Sequence, residues 1–191
     1  MKIAITGHSA GIGQGFANIL SEYGHEIVGL SKRNGYNIRV IPRLVEKIID
    51  CDMFINNAQS GYAQTELLYK VWQRWRGEKT KIIWVVSTIL TQSPVDVSIP
   101  DLDDMSMSEY RNQKIALEQA VKQLTFKKGS PVVCLIRPGA VATQPYNQAG
   151  VNAADVDVWC QTVVDFWNQA ASGGLFVKEI SLGFNPDLPI L

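Results

Sequence analysis

The chain has 191 residues, of which 46% are hydrophobic and 19% are charged. Because this composition supplies enough apolar side chains for one buried core, we expect residues 1–191 to form a single domain. The 18 basic and 18 acidic side chains cancel. This balance argues against functions that depend on a cationic surface, so we expect neither nucleic acid nor a membrane as a partner.

Cysteine and histidine are scarce. The three cysteines, Cys51, Cys134 and Cys160, are odd in number and far apart. This argues against a disulfide framework and favours a cytoplasmic protein. The chain has two histidines, His8 and His25. The chain therefore has too few histidines for a histidine-based metal site, and we predict no metal.

Short apolar runs alternate with segments of helical periodicity along the chain. We predict strands at Lys2–Thr6, Glu26–Leu30, Met53–Ile55, Lys81–Val86, Pro131–Ile136 and Leu175–Leu182. Several of these runs are apolar at successive positions, which is typical of strands covered on both faces.

The intervening segments carry the signals of helices. Apolar residues recur at helical spacing from Ile12 to Leu20, and Pro42 suits a first helical position. Ser106 and Glu109 form a capping-box pattern. The predicted helices cover residues 12–20, 42–50, 66–76, 106–126 and 152–171. Alternating strands and helices predict an α/β fold, a doubly wound parallel sheet flanked by helices.

A glycine-rich segment, Thr6 to Gly13, lies where the first predicted strand leads into the first helix. Glycines at this place let the backbone turn sharply and approach a ligand closely. The free N–H groups at the start of the helix attract a phosphate. The segment therefore predicts a phosphate-binding loop.

The same segment also fits G-x-S-x-G, the nucleophile motif of α/β-hydrolases, with Ser9 as the nucleophile. That fold orders its triad as serine, acid and histidine, and the one histidine after Ser9 is His25. The motif also normally follows several strands rather than the first. A hydrolase is therefore the weakest of the functions that we consider.

Five motifs occur in one order over most of the chain. They are the T-G-x-x-x-G-x-G loop, Asn56-Asn57-Ala58 after a strand, Ser87 after the 81–86 strand, Tyr110 and Lys114 in a Y-x-x-x-K pattern, and Arg137-Pro138-Gly139 with Thr143 beyond it. In this order they resemble the short-chain dehydrogenase/reductase family. The resemblance implies a Rossmann-like fold and an NAD(P)-dependent enzyme.

The resemblance also implies that Ser87, Tyr110 and Lys114 are catalytic. Tyr110 and Lys114 are four residues apart, so both project from one helix face. An ammonium near a phenol favours the phenolate and brings tyrosine towards useful acid–base chemistry. By resemblance, Tyr110 exchanges a proton with the carbonyl or alcohol oxygen, Lys114 also holds the nicotinamide ribose, and Ser87 hydrogen-bonds the substrate oxygen.

The cofactor contacts implied by the resemblance fall into groups along the chain. Loop residues would bind the pyrophosphate, residues after the second and third predicted strands would surround the adenosine, and residues after the fifth would flank the nicotinamide. The implied cofactor-binding residues are Gly7, Ser9, Gly11, Ile12, Gly13, Ser31, Lys32, Arg33, Asn37, Ile38, Asn57, Ala58, Tyr110, Lys114, Pro138, Gly139, Val141 and Thr143.

The residues after the second predicted strand bear on the choice of cofactor. Folds that bind NAD place an acidic residue there, which hydrogen-bonds the ribose and would repel the extra phosphate of NADP. Here Ser31, Lys32 and Arg33 take that place, and no acidic residue lies between Glu26 and Glu46. We therefore predict NADP rather than NAD.

The chain departs from the family in two segments. Few residues separate Ser31 from Asn56, which predicts a vestigial third strand near residues 36–38. The asparagine of the family's catalytic tetrad has no evident counterpart. The chain between Ser87 and Tyr110 is longer than in compact family members, and residues 94–104 are predicted to form an enlarged loop over the site.

These observations predict an NADP(H)-dependent oxidoreductase that interconverts a carbonyl and an alcohol of a small-molecule substrate. Two alternatives stay open. The shortened segment favours an NADP-binding sensor or regulator with weak catalysis. The lengthened segment favours a sugar-nucleotide-modifying relative.

One predicted helix carries four bulky residues at helical spacings: Leu68, Tyr69, Trp72 and Trp75. They form either a core stripe or part of a subunit interface. By family resemblance we expect a homodimer or homotetramer, with the 64–76 and 107–126 helices at the contact.

Overall fold

The computed structural model describes residues 1–92, 106–125, 127, 131–143, 153–185 and 187. Six strands in these ranges form one parallel sheet, in the order β2-β1-β3-β4-β5-β6. They are β1 Lys2–Thr6, β2 Glu26–Leu30, β3 Met53–Asn56, β4 Ile82–Val86, β5 Val132–Pro138 and β6 Glu179–Leu182. All six predicted strands are confirmed, and the last begins at Glu179 rather than Leu175.

In the part of the chain that the structure describes, five α-helices alternate with these strands: α1 Gly11–Glu22, α2 Ile41–Ile48, α3 Ala63–Arg74, α4 Met107–Thr125 and α5 Val156–Ser172. The backbone N–H of Glu109 donates to the Ser106 hydroxyl at the start of α4, as the capping pattern predicts. Helix α5 begins later than predicted, because the Asp155 carboxylate accepts from the first N–H groups of the helix. No helix in the described ranges is long and apolar enough to cross a membrane.

Both faces of the sheet are covered, as the continuous apolar runs predict. Helices α2, α3 and α4 pack on one face, and α1 and α5 pack on the other. On the second face, the ring of Phe16 in α1 meets Trp84 of β4 edge-on, with the ring centroids 5.5 Å apart. The doubly wound α/β fold is confirmed.

The tryptophans of α3 and of the turn after it belong to the core of this chain. Trp72 and Trp75 are buried with the α2 and α4 side chains. The indole N–H of Trp75 donates to the carbonyl of Ile49 at 3.1 Å. Of the two interpretations of this stripe, a core stripe is the one that the structure supports for the tryptophans.

The segment that we predicted as a vestigial third strand is a loop. After β2 the chain makes a 3-10 turn at Lys32–Asn34 and passes Gly35, whose φ is 85°, before entering α2. Residues 36–38, where we predicted a vestigial strand, pair with no strand in the described ranges. Ile38 is buried instead against the α2 side of the core. Strand β2 therefore forms one edge of the sheet.

The topology creates a crevice at the carboxyl ends of the strands. From β1 the chain crosses to β2 on one side, and from β2 it returns to β3 on the other. Neighbouring connections therefore diverge above β1, and in open α/β sheets ligands bind at this switch point.

Candidate active site

The glycine-rich segment forms the turn from β1 into α1 at this switch point. Gly7 and Gly11 have φ angles of 71° and 52°, in the left-handed region that favours glycine. A Cβ on Gly13 would overlap the carbonyl oxygen of Gly7. Ala10, which precedes α1, has no side chain that could cap the helix. The first N–H groups of α1 are therefore suited to a phosphate.

A cavity of about 220 Å³ lies beside this loop. Six predicted cofactor residues line it: Gly7, Ser9, Ser31, Lys32, Ile38 and Ala58. The remaining lining residues are Thr6, Ala10, Leu30, Tyr36, Leu44 and Gln59. The cavity thus combines aromatic and aliphatic side chains with an exposed ammonium, which suits a planar base that carries phosphate.

Three predicted cofactor residues near this cavity are not part of its lining. Arg33 donates to the backbone carbonyl of Ser9 at 3.0 Å and so joins the β2 edge to the glycine loop. The Asn37 side chain accepts from the N–H of Arg39 at 3.1 Å. The Asn57 amide donates to the carbonyl of Thr6 at 3.0 Å. In the structure, Asn57 therefore ties β1 to β3.

The predicted nicotinamide residues lie across the loop from the cavity. A Cβ on Gly11 would lie 3.2 Å from the Thr143 side chain, so this threonine sits directly against the glycine loop. The N–H of Gly139 donates to the carbonyl of Leu182 at 2.8 Å, which joins β5 to β6. Val141 and Pro138 are buried, Val141 in the α1–α5 side of the core.

The two loop residues still to be placed lie at the start of α1. Gly13 is buried, and Ile12 is half-buried against the α1–α5 side of the core. The carbonyl of Ile12 faces the thiol of Cys160, with the oxygen and sulfur 3.6 Å apart.

Lys114 is the most unusual titratable group of the site. Its side chain is buried, and its ammonium donates to the Gln64 side chain and to the Val86 carbonyl, both at 2.9 Å. The nitrogen lies 5.6 Å from the centroid of the Tyr110 ring. Burial lowers the pKa of Lys114 to about 7, and the nearby Glu118 carboxylate opposes this shift. Two of the three ammonium protons are used by these bonds.

Helix α4, which carries Tyr110 and Lys114, is connected to the cavity. Gln59, which lines the cavity, donates to the side chain of Gln113, and Gln113 in turn donates to Glu109 at 2.9 Å. Gln113 directly precedes Lys114 on α4. The structure therefore brings the glycine loop, the cavity and the Tyr110–Lys114 pair to one edge of the sheet.

Ser87 follows β4 at this edge, but its hydroxyl faces into the fold. The residue is 2% exposed, and its Oγ donates to Glu118 at 2.6 Å. Because a hydroxyl has one proton, this oxygen can act towards a ligand only as an acceptor. The next residue, Thr88, is 7% exposed and brings a second hydroxyl to the same strand end.

The sequence analysis did not identify several residues of the site, because no local pattern in the sequence indicates them. Gln64 holds Lys114 from α3, 50 positions away, and Tyr36 lines the cavity from a loop. Glu118 alone had a usable signal, since it lies four residues after Lys114 and hence on the same helix face. Residues 94–104, predicted to form an enlarged loop, lie outside the described residues, as does residue 152, where the last helix was predicted to begin.

Comparison with solved structures identifies the fold. An alcohol dehydrogenase from the archaeon Thermococcus sibiricus, complexed with 5-hydroxy-NADP, has a TM-score of 0.73 at 15% identity, over 100% of this chain and 99% of that one. A 4-hydroxyisoleucine dehydrogenase complexed with NADH has a TM-score of 0.71 at 13% identity, over 96% and 97%. A short-chain dehydrogenase from Burkholderia cenocepacia J2315, in complex with NADP, has a TM-score of 0.67 at 18% identity, over 95% and 87%.

No family model matches the sequence, and no curated protein matches it. The likeness is therefore one of three-dimensional structure across nearly the whole chain. The protein has the Rossmann-like fold of the short-chain dehydrogenase/reductases, which confirms the expectation from the motifs at the level of the fold.

Proposed function

We propose that the protein is an NADP(H)-dependent oxidoreductase that interconverts a carbonyl and an alcohol of a small molecule. The observation that carries this proposal is the buried Lys114 ammonium beside the Tyr110 ring, on a helix connected to the cavity at the glycine loop. The solved structures of the same fold support it, since they include dehydrogenases complexed with NADP or NADH.

The residues fit a dinucleotide. The glycine loop is packed so closely that its own backbone atoms meet, and the cavity beside it is lined by apolar side chains and a cation. The first N–H groups of α1 would hold the pyrophosphate. Lys114 has one ammonium proton left for a ribose hydroxyl, and Thr143 lies against the loop where the nicotinamide end would begin. When bound, the reduced cofactor would supply the hydride for carbonyl reduction, and the oxidised cofactor would accept it in alcohol oxidation.

Tyr110 would exchange the proton that accompanies hydride transfer. In the reductive direction the phenol gives its proton to the carbonyl oxygen, and in the oxidative direction the phenolate takes it from the alcohol. A charged Lys114 close to the ring stabilises the phenolate in either case. Ser87 would support the alcohol form, because its oxygen can accept a hydrogen bond from a hydroxyl.

To test this function, the protein is mixed with NADPH and each member of a panel of aldehydes and ketones, and the reaction is measured by the absorbance of the reduced nicotinamide. If the protein is an oxidoreductase, we expect turnover with at least one member of the panel. A sensor or regulator predicts saturable NADPH binding without turnover across the panel and without any effect of Tyr110→Phe. The burial of the Ser87 hydroxyl is the observation that keeps this second function in consideration.

The proposed cofactor preference depends on the two cations after β2. The Ser31 hydroxyl donates to Asn34 at 3.2 Å, so Lys32 and Arg33 carry the attraction for a phosphate. Each charge-assisted contact contributes about 1.5–3 kcal/mol, so we expect NADPH to bind about tenfold or more tightly than NADH. Replacing both cations by alanine should collapse the ratio, chiefly by weakening NADPH.

Fluorescence titration with both cofactors measures this ratio. A matched control replaces Lys47 and Arg76 by alanine, since both are exposed and lie outside the cavity lining. The control should keep the unmodified ratio. Retention of the NADPH preference without Lys32 and Arg33 would remove the assigned phosphate contact.

We also propose a homodimer or homotetramer with α3 and α4 at the contact. Trp72 and Trp75 give this proposal no support, because both are buried in the core of the chain. Multi-angle light scattering at micromolar concentration is expected to give a multiple of the 21.2 kDa chain mass. A single species of 21.2 kDa would contradict the assembly.

A further inference from the structure

One buried carboxylate connects the elements that carry the candidate active site. Glu118 lies one helical turn after Lys114 on α4 and is 5% exposed. Its Oε1 accepts from the Ser87 hydroxyl at 2.6 Å and from the Thr91 hydroxyl at 2.7 Å. Ser87 directly follows β4, and Thr91 belongs to the 3-10 turn that comes next. A single side chain of α4 therefore fixes the end of β4.

Arg137 holds the same carboxylate from the next strand. Its Nε lies 3.0 Å from Oε1 and 3.1 Å from Oε2 of Glu118, and its Nη2 lies 2.8 Å from Oε2. Its Nη1 donates to Glu179 of β6 at 2.8 Å. Arg137 directly precedes Pro138 and Gly139, which lead to the predicted nicotinamide residues. The carboxylate thus also fixes the end of β5.

The Glu118 carboxylate balances buried positive charge near the site. Lys114 and Arg137 are both buried cations, and the buried Glu118 carboxylate pairs with Arg137 and lies one helical turn from Lys114, while the Glu179 side chain is 43% exposed. Among the described residues, the polar and charged groups around Lys114 are Gln64 from α3, the Val86 carbonyl from β4, and Tyr110 and Glu118 from its own helix.

Hydrogen bonding keeps Glu118 ionised. Burial would raise the pKa of its carboxyl, but the hydrogen bonds from Arg137, Ser87 and Thr91 outweigh burial and hold the pKa below its usual range. Glu118 is therefore a permanent negative charge at neutral pH. Losing a permanent charge is expected to change the titration of a buried neighbour much more than losing a neutral hydrogen bond.

We propose that Glu118 is a positioning residue of this site: it orients the Ser87 hydroxyl and places a negative charge one helical turn from the buried Lys114 ammonium, where it favours the charged form of that group. The proposal rests on the proposed function for its catalytic meaning. Its physical content concerns groups of this chain alone and can be measured without substrate.

The test is a titration of protein labelled with ¹³C in lysine and glutamate, followed by the Cε and Cδ chemical shifts. Lys114 should titrate near pH 7, and the variant Lys114→Met identifies its signal by removing it. Glu118→Gln should lower the Lys114 midpoint by about one unit or more, because a charge that favours the ammonium is lost. Glu118→Asp keeps the charge, so its Lys114 midpoint should lie close to that of the unmodified protein.

Glu179→Gln is the matched control. It also removes a carboxylate partner of Arg137, but it leaves the Ser87 bond and the charge beside Lys114 in place. Its effect on the Lys114 midpoint should be less than half that of Glu118→Gln. A merely structural role of Glu118 predicts lower melting temperatures for both variants and an unchanged Lys114 midpoint in both, and that result would overturn the proposal.

The unmodified protein gives a second measurement that does not depend on how Glu118→Gln folds. The Cδ signal of Glu118 should show a step at the Lys114 midpoint, and the Ser87 hydroxyl proton should exchange slowly enough to be observed. A Glu118 signal that is flat through the Lys114 midpoint would overturn the proposal. NADPH titration of the same samples keeps the proposed function separate: absent binding contradicts the function and leaves the Lys114 result intact.

Discussion

Tyr110→Phe is expected to lower turnover by about 10²–10⁴-fold, which is the usual contribution of a positioned acid–base group. The change removes a phenolic oxygen and keeps the ring that lies beside Lys114. NADPH affinity should therefore stay within about threefold of the unmodified protein, since little contact area is lost. Steady-state kinetics with the best carbonyl of the panel, together with a binding titration, separates the two effects.

Tyr69→Phe is the matched control for this experiment. Its hydroxyl donates to Gln123 at 2.9 Å between α3 and α4, in an exposed position away from the cavity. The same chemical change there should leave turnover near that of the unmodified protein. If Tyr110→Phe also kept near-normal turnover, the assignment of Tyr110 as the acid–base group would be wrong.

Arg137→Met is expected to cause the largest loss of stability. It leaves the buried Glu118 carboxylate without its cationic partner, and breaking a buried ion pair from one side costs about 3–5 kcal/mol. The hydroxyls of Ser87 and Thr91 would still donate to Glu118, which places the loss towards the lower end. Urea denaturation measures it as a change in the free energy of unfolding.

Lys2→Met provides the comparison at the surface. Lys2 and Glu26 form an ion pair at 3.6 Å with side chains that are 39% and 67% exposed. Solvent screens such a pair, so its loss should cost less than about 1 kcal/mol. A comparable, small loss for Arg137→Met would mean that the Glu118–Arg137 pair does not hold β5 to α4.

The sequence predicted most of the fold because the sheet is buried on both faces. Strands such as β3 and β4 are apolar at nearly every position, and this signal does not depend on distant contacts. The start of α5 was placed less well, because its first turn is set by the local cap at Asp155. Residues 36–38 were predicted as a remnant strand from the family pattern, whereas the short connection leaves room only for a turn and α2.

The site was predictable where its geometry is local. The glycine turn and the Tyr110–Lys114 spacing each follow from residues close together in sequence. The partners of Lys114 and Ser87 do not, because Gln64 and Glu118 reach them across 50 and 31 positions. Ser87 was placed correctly at the end of its strand, but the direction of its hydroxyl depends on Glu118 and so on the packing of α4 against the sheet.

Fluorescence titration of the unmodified protein with NADPH and with NADH tests most directly whether a nicotinamide dinucleotide binds along the glycine loop, with its adenosine end in the cavity. The structure and the charges after β2 predict saturable binding of one NADPH per chain, about tenfold or more tighter than NADH. Equal affinities would contradict the roles of Lys32 and Arg33. The absence of saturable binding for either cofactor would contradict the function itself.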